Sequence, residues 1–240
     1  RLDVPYGAHP DSLVDIFPAG RGAPVLVFVH GGYWRMLSQK ESAFMAPAFV
    51  NRGVAVVTVN YSLAPKASLD EIVRQCRAAL AWTYRRAPDF GADPERIVIA
   101  GSSAGGHLVG MLLSDGWHNE FKVPANVVKG ACALSGIYDL EPVRLAEPNT
   151  WIKLDRESAL RNSPIHHIPK SGGCPLIVSY GGNETAEFKR QTDEYAAAWR
   201  ARGFKATHVD MTPTNHFDIV LDMCSPGGSL TSAILGLLGK

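Results

Sequence analysis

The chain has 240 residues, 46% of them hydrophobic, which is enough to bury one substantial core and fits a single large α/β domain. Its formal charge of +1, with 24 Lys and Arg dispersed along the sequence, leaves no basic surplus for nucleic acid or an anionic membrane surface, so a small-molecule substrate is expected. No apolar run approaches the roughly 20 residues of a membrane span, and the four cysteines form no C-x-x-C pair, so reduced thiols and a cytoplasmic setting are expected.

Strands are predicted over residues 14–17, 25–30, 54–60, 97–100, 127–135, 175–180 and 205–210. Helices are predicted between them over 40–52, 68–86, 104–114, 187–202 and about 229–238, with Asp70 and Glu71 placed to complement the dipole of the second. Such alternation predicts an α/β fold over 1–240, a mostly parallel central sheet with helices on both faces. Residues 139–170 break the rhythm with several prolines, Trp151 and the His166–His167 pair, and read as a short cap-like insert over the carboxyl edge of the sheet. About eleven residues precede the first strand, too few for a helical N-terminal lid, so this insert is the expected cover of a shallow pocket. The chain starts without Met or a signal-peptide core, which reads as a trimmed start.

Ligand sites of open α/β sheets gather at the carboxyl ends of strands, and the residues found there carry chemistry. After strand 97–100 comes Gly101-Ser102-Ser103-Ala104-Gly105, a G-x-S-x-G pattern between an apolar strand and an apolar helix. Glycines at both ends let the backbone turn sharply and hold the Ser103 hydroxyl at an exposed tip, as a nucleophile requires. After strand 25–30 comes Gly31-Gly32-Tyr33-Trp34, whose small residues free the N–H groups of Gly31 and Gly32 to form, with that of Ala104, an oxyanion hole. Each such donor is worth on the order of 3 to 4 kcal/mol in transition-state stabilisation.

Past residue 180, Glu184 is the carboxylate nearest the strand end and the candidate triad acid, although it and Glu187 also suit a helix N-terminus. The loop after 205–210 delivers His216 as general base, completing the order Ser, acid, His. His107 falls inside a helix, His208 in a strand and His30 in the oxyanion loop, all structural positions; the His166–His167 pair lacks carboxylates or cysteines at metal-ligand spacing. Neither metal nor organic cofactor is called for.

These motifs resemble the α/β-hydrolase superfamily and, within it, the arylformamidase (kynurenine formamidase) family near the hormone-sensitive-lipase-like esterases. The resemblance rests on His30-Gly31-Gly32-Tyr33-Trp34, Asn60-Tyr61-Ser62-Leu63-Ala64-Pro65, Ser135-Gly136-Ile137-Tyr138-Asp139-Leu140, Ser163-Pro164, 184–191 and Asn215-His216-Phe217-Asp218, covering almost the whole chain. It implies Ser103, Glu184 and His216 as catalytic residues, hydrolysis of N-formyl-L-kynurenine or a similar aryl formamide, and a homodimer. Members from animals usually carry Asp at the Glu184 position; the extra methylene here predicts an indirect contact with His216, with Asp139 in reserve as acid and Asp218 poorly placed. The implied aromatic leaving-group site is assigned to Tyr33, Trp34, Tyr138, Trp151 and Phe217. A short-chain carboxylesterase using the same residues is the alternative, and a non-catalytic binding protein on this fold is a third reading.

Overall fold

A computed structural model describes residues 1–240. Eight strands form one sheet: β1 (Val4–Pro5), β2 (Leu13–Phe17), β3 (Ala23–Val29), β4 (Ala55–Val59), β5 (Ala92–Ser102), β6 (Gly130–Leu134), β7 (Leu176–Ser179) and β8 (Ala206–His208). Their spatial order is β1-β2-β4-β3-β5-β6-β7-β8, antiparallel at β1–β2 and β2–β4 and parallel from β4 onward. This is the mostly parallel α/β sheet expected from the alternation of elements, and the α/β-hydrolase architecture that the resemblance implies.

The central strands are apolar throughout because both faces are covered. Along β3, Val25, Val27 and Val29 enter one core with helices α2 (Leu69–Arg86), α3 (Ala104–Leu112) and α7 (Ala186–Ala201). Leu26 and Phe28 enter the other, with α1 (Ala46–Val50) and α8 (Ser229–Leu237). Each such side chain withdrawn from water contributes about 1.5–3 kcal/mol, so the parallel strands are the rigid platform on which the loops stand. Helix α2 begins where Ser68 accepts the Glu71 N–H at 3.3 Å, with Asp70 and Glu71 in its first turn.

Four elements depart from expectation, the first being β1, a two-residue strand that pairs with β2 ahead of the predicted first strand. The helix predicted over 40–52 is a 3₁₀ turn at Ala43–Met45 followed by a five-residue α1, with Pro47 in its first turn. Strand β5 starts five residues early, because its polar beginning pairs with Ala23 before a register shift. The 139–170 stretch holds α4 (Glu141–Arg144), α5 (Asn149–Ile152) and α6 (Arg156–Arg161), each too short to leave a periodic signature. Asp155 caps α6 in a reciprocal box with Ser158, and Arg161 makes two 2.8 Å bonds to Asp70, tying the insert to α2.

The approach of α3 to β3 admits no side chain at Gly105, since a Cβ there would strike the carbonyl oxygens of Val29 and His30. Gly105→Ala is expected to lower stability by about 3 kcal/mol or more, because both obstacles are backbone, and urea unfolding against wild type measures it.

Candidate active site

At the carboxyl edge, β5 ends at Ser102 and α3 starts at Ala104, leaving Ser103 as the turn between them with φ 59° and ψ −120°. A non-glycine residue in this region is strained, and the surroundings hold it there: its N–H donates to the Leu134 carbonyl at 2.9 Å and its carbonyl accepts from His107 at 3.0 Å. Only the hydroxyl is left to face the loops opposite.

His216 meets that hydroxyl, with its Nε2 3.0 Å from Ser103 Oγ. Its Nδ1 lies 2.8 Å from Glu184 Oε2, which accepts and therefore leaves Nε2 as the lone-pair nitrogen facing the serine. The indirect contact expected for a glutamate does not occur: the Glu184 carboxylate meets His216 directly. Gly181 packs against the Thr214 carbonyl, leaving no room for a Cβ, and donates its N–H to Glu184 Oε1 at 2.6 Å. Ser135 donates to the same oxygen at 2.6 Å, and the Glu184 side chain has no exposed surface. Burial pushes the Glu184 carboxyl up, but bonds from His216, Ser135 and Gly181 outweigh it and hold the group below its ordinary value.

Asp139 is not placed to substitute: its carboxylate accepts the Glu141 N–H at 3.0 Å and makes no bond to His216. Asp218 instead shapes the histidine loop, accepting from the Asn215 backbone at 2.6 Å and its side-chain amide at 2.7 Å. The Phe188 ring lies 4.3 Å from the His216 imidazole and confines it from the side.

The Gly31–Gly32 loop comes within contact of the elbow, where a Cβ on Gly31 would lie 2.6 Å from the Ser102 carbonyl oxygen and 3.2 Å from Ser103 Cβ. Gly32 takes φ +91°, and a Cβ there would strike the Met36 carbonyl. Neither glycine gives its N–H to a protein acceptor. Ala104, as the first residue of α3, carries an N–H outside the helical ladder. His30 underpins the loop: its ring stacks on Tyr61 at 4.1 Å, Tyr61 Oη donates to the His30 carbonyl at 2.9 Å, and burial pushes its pKa down to about 4.

The five aromatic residues expected to line a leaving-group site divide. Tyr33 and Trp151 come together edge to face at 6.2 Å, and Trp151 Nε1 points at the Tyr33 carbonyl at 3.4 Å, joining insert to oxyanion loop. Phe217 stands 84% exposed beside His216. Trp34 and Tyr138 do not line a pocket, because both are fully buried. Trp34 packs on His107, and Tyr138 stacks on Tyr195 at 4.1 Å after Gln191 captures the N–H groups of Tyr138 and Asp139 at 2.6 and 2.8 Å. Ser135, Phe188 and Gln191 were absent from the sequence-derived site. All three lie in stretches that carry the family resemblance, and Ser135 has a second signal in its place just past the end of β6. No three His, Cys, Asp or Glu side chains gather as a metal site requires, the four cysteines are free, and no helix is long and apolar enough to cross a membrane.

The BD-FAE family model matches residues 15–181. A kynurenine formamidase from Salmo salar is 35% identical across 100% of this chain and 82% of its own length, and one from Danio rerio is 34% identical with the same coverage. A solved structure described as a putative thioesterase from Silicibacter sp. TM1040 superposes with a TM-score of 0.85 at 29% identity, covering 98% of this chain and 85% of that one. A Pyrobaculum calidifontis esterase shares the fold, with a TM-score of 0.78 at 20% identity over 94% of this chain and 80% of its own. The chain is a hydrolase that belongs to the BD-FAE family of α/β-hydrolases and to the kynurenine formamidase family.

Proposed function

We propose that this hydrolase cleaves aryl formamides, N-formyl-L-kynurenine being the substrate to test first, through Ser103 as nucleophile. The observation that carries this reading is the unbroken line from Ser103 Oγ to His216 at 3.0 Å and on to Glu184 at 2.8 Å. His216 Nε2 takes the Ser103 proton as Oγ bonds to the formyl carbon, and the carbonyl oxygen becomes an oxyanion facing the N–H groups of Gly31, Gly32 and Ala104. Collapse of that adduct breaks the C–N bond, with the proton on His216 passing to the departing nitrogen. Water, deprotonated by His216, then releases formate from the serine ester. Tyr33 and Trp151, packed edge to face where the insert meets the loop after β3, are the rings we assign to the aryl group of the leaving amine.

A short-chain carboxylesterase is the second reading, favoured by relatives such as the Mycobacterium tuberculosis esterase LipQ, 26% identical across 99% of this chain and 61% of its own. Ester and amide share the oxyanion hole and nucleophile and differ in the proton needed by nitrogen. Three buried free thiols fit a reducing compartment, which we take to be the cytoplasm. The test is kcat/KM for N-formyl-L-kynurenine beside 4-nitrophenyl acetate, in wild type and Ser103→Ala. A preference for the formamide that vanishes in Ser103→Ala is expected. Turnover of the ester alone would make the protein a carboxylesterase.

A further inference from the structure

Trp34 and His107 lie in the two motifs that build the site, one after each glycine cluster, yet both are fully buried and neither faces the substrate. They meet edge to face at 5.0 Å, with Trp34 Nε1 3.2 Å from His107 Nδ1. The other nitrogen, Nε2, lies 2.7 Å from the carbonyl of Asn162, in the insert. A carbonyl only accepts, so Nε2 carries the proton and Nδ1 presents the lone pair that the indole N–H requires. Burial keeps the ring neutral, with its pKa pushed down to about 4, so this tautomer persists across the working pH range.

The indole is the anchor of a strained loop. Gly32, Tyr33 and Trp34 take φ of +91°, +52° and +55° in succession, an arrangement that persists only where neighbours enforce it. The Trp34 carbonyl is held by the Ala64 N–H at 2.7 Å, and the ring by His107. His107 stands one turn past Ser103 on the helix that carries Ala104. One imidazole therefore spans the two halves of the oxyanion hole, Gly31–Gly32 on the loop and Ala104 on α3.

We propose that His107 is a positioning residue for the oxyanion hole: by accepting the Trp34 indole N–H it fixes the distance between the Gly31–Gly32 and Ala104 donors. The proposal rests on the hydrolase reading and adds a role for a residue that never touches substrate. Oxyanion stabilisation depends on donors already in place when charge develops, so a loosened loop reduces kcat while leaving ground-state binding nearly unchanged.

Two substitutions separate the halves of the ring. Asparagine places its amide oxygen near Nδ1 and can still accept from Trp34, while losing Asn162. Glutamine reaches the Nε2 position and can still donate to Asn162, while losing Trp34. For 4-nitrophenyl acetate, His107→Asn is expected to retain kcat within about 3-fold. His107→Gln and Trp34→Phe are each expected to lower kcat by about 30-fold or more with KM within about 2-fold, and their combination to be no worse than either alone. Affinity for phenylboronic acid, which forms a tetrahedral adduct on Ser103, should fall by the same factor as kcat/KM. Should His107→Gln fail to fold, Trp34→Phe, which removes the indole donor together with one ring of the buried side chain, carries the comparison, with the stability cost of the cavity read from urea unfolding. Equal losses in the Asn and Gln variants, unchanged kcat in folded Trp34→Phe, or additive effects would overturn the proposal. Absence of Ser103-dependent turnover in wild type would instead overturn the hydrolase reading beneath it.

Discussion

Ser103→Ala or His216→Ala should each lower kcat by about 10⁵–10⁶-fold on formamide and ester alike, and the double variant should be no slower than either single one. The reason is that the two act as a unit: the serine hydroxyl is a weak nucleophile until Nε2, 3.0 Å away, removes its proton, and a base with nothing to deprotonate contributes nothing. The residual rate above that in water comes from the donors at Gly31, Gly32 and Ala104, which neither substitution touches. Stability should barely change for Ser103→Ala, because Oγ bonds only to His216 while the backbone bonds that hold the elbow are retained. Pre-steady-state release of nitrophenol with matched urea unfolding curves provides the check. A folded Ser103→Ala variant with wild-type turnover would remove Ser103 from the mechanism.

The hydrogen-bonded line of Ser103, His216 and Glu184 was legible in the sequence because each residue sits in a loop after a strand, where chain order alone predicts spatial convergence. Ser103 follows β5, Glu184 follows β7 and His216 follows β8. The same logic marks the end of β6, and Ser135 there holds the Glu184 carboxylate; its role depends on a hydroxyl orientation that no spacing encodes. Two of the five aromatic residues, Trp34 and Tyr138, were misplaced for a related reason. Tyr33 and Trp34 are neighbouring aromatic residues, each with one polar group, yet successive left-handed φ angles bury one against His107 and leave the other at the insert. Tyr138 is buried in a stack on Tyr195, while Gln191, also on α7, accepts the N–H groups of Tyr138 and Asp139. Burial of an aromatic in a glycine-rich loop is decided by tertiary partners, whereas burial of Val25, Val27 and Val29 is decided by the strand itself.

Glu184→Gln should lower kcat by about 10⁴-fold with the site otherwise intact, a larger loss than that of Glu184→Asp. The wild-type carboxylate accepts three bonds, from His216 at 2.8 Å and from Ser135 and Gly181 at 2.6 Å each. An amide has only one accepting oxygen. The Gly181 N–H is a backbone donor that cannot turn away, so that oxygen stays with it and the NH₂ faces His216 Nδ1. The imidazole must then accept at Nδ1 and carry its proton on Nε2, the tautomer that cannot deprotonate Ser103. Aspartate keeps the charge and withdraws it by roughly one bond length, about 1.5 Å, so the correct tautomer survives with a weakened hold. Stability supplies an independent readout. Hydrogen bonds hold the folded Glu184 carboxyl below its ordinary 4.5 despite burial, so its contribution is complete above that pH and disappears as pH falls through the lower folded value. The stability gap between wild type and Glu184→Gln, measured by urea unfolding, should therefore be widest near neutrality and close in acid below pH 4.5. A gap constant down to full protonation would mean that packing, not charge, ties Glu184 to the fold, and near-wild-type kcat in Glu184→Gln would remove it from the triad.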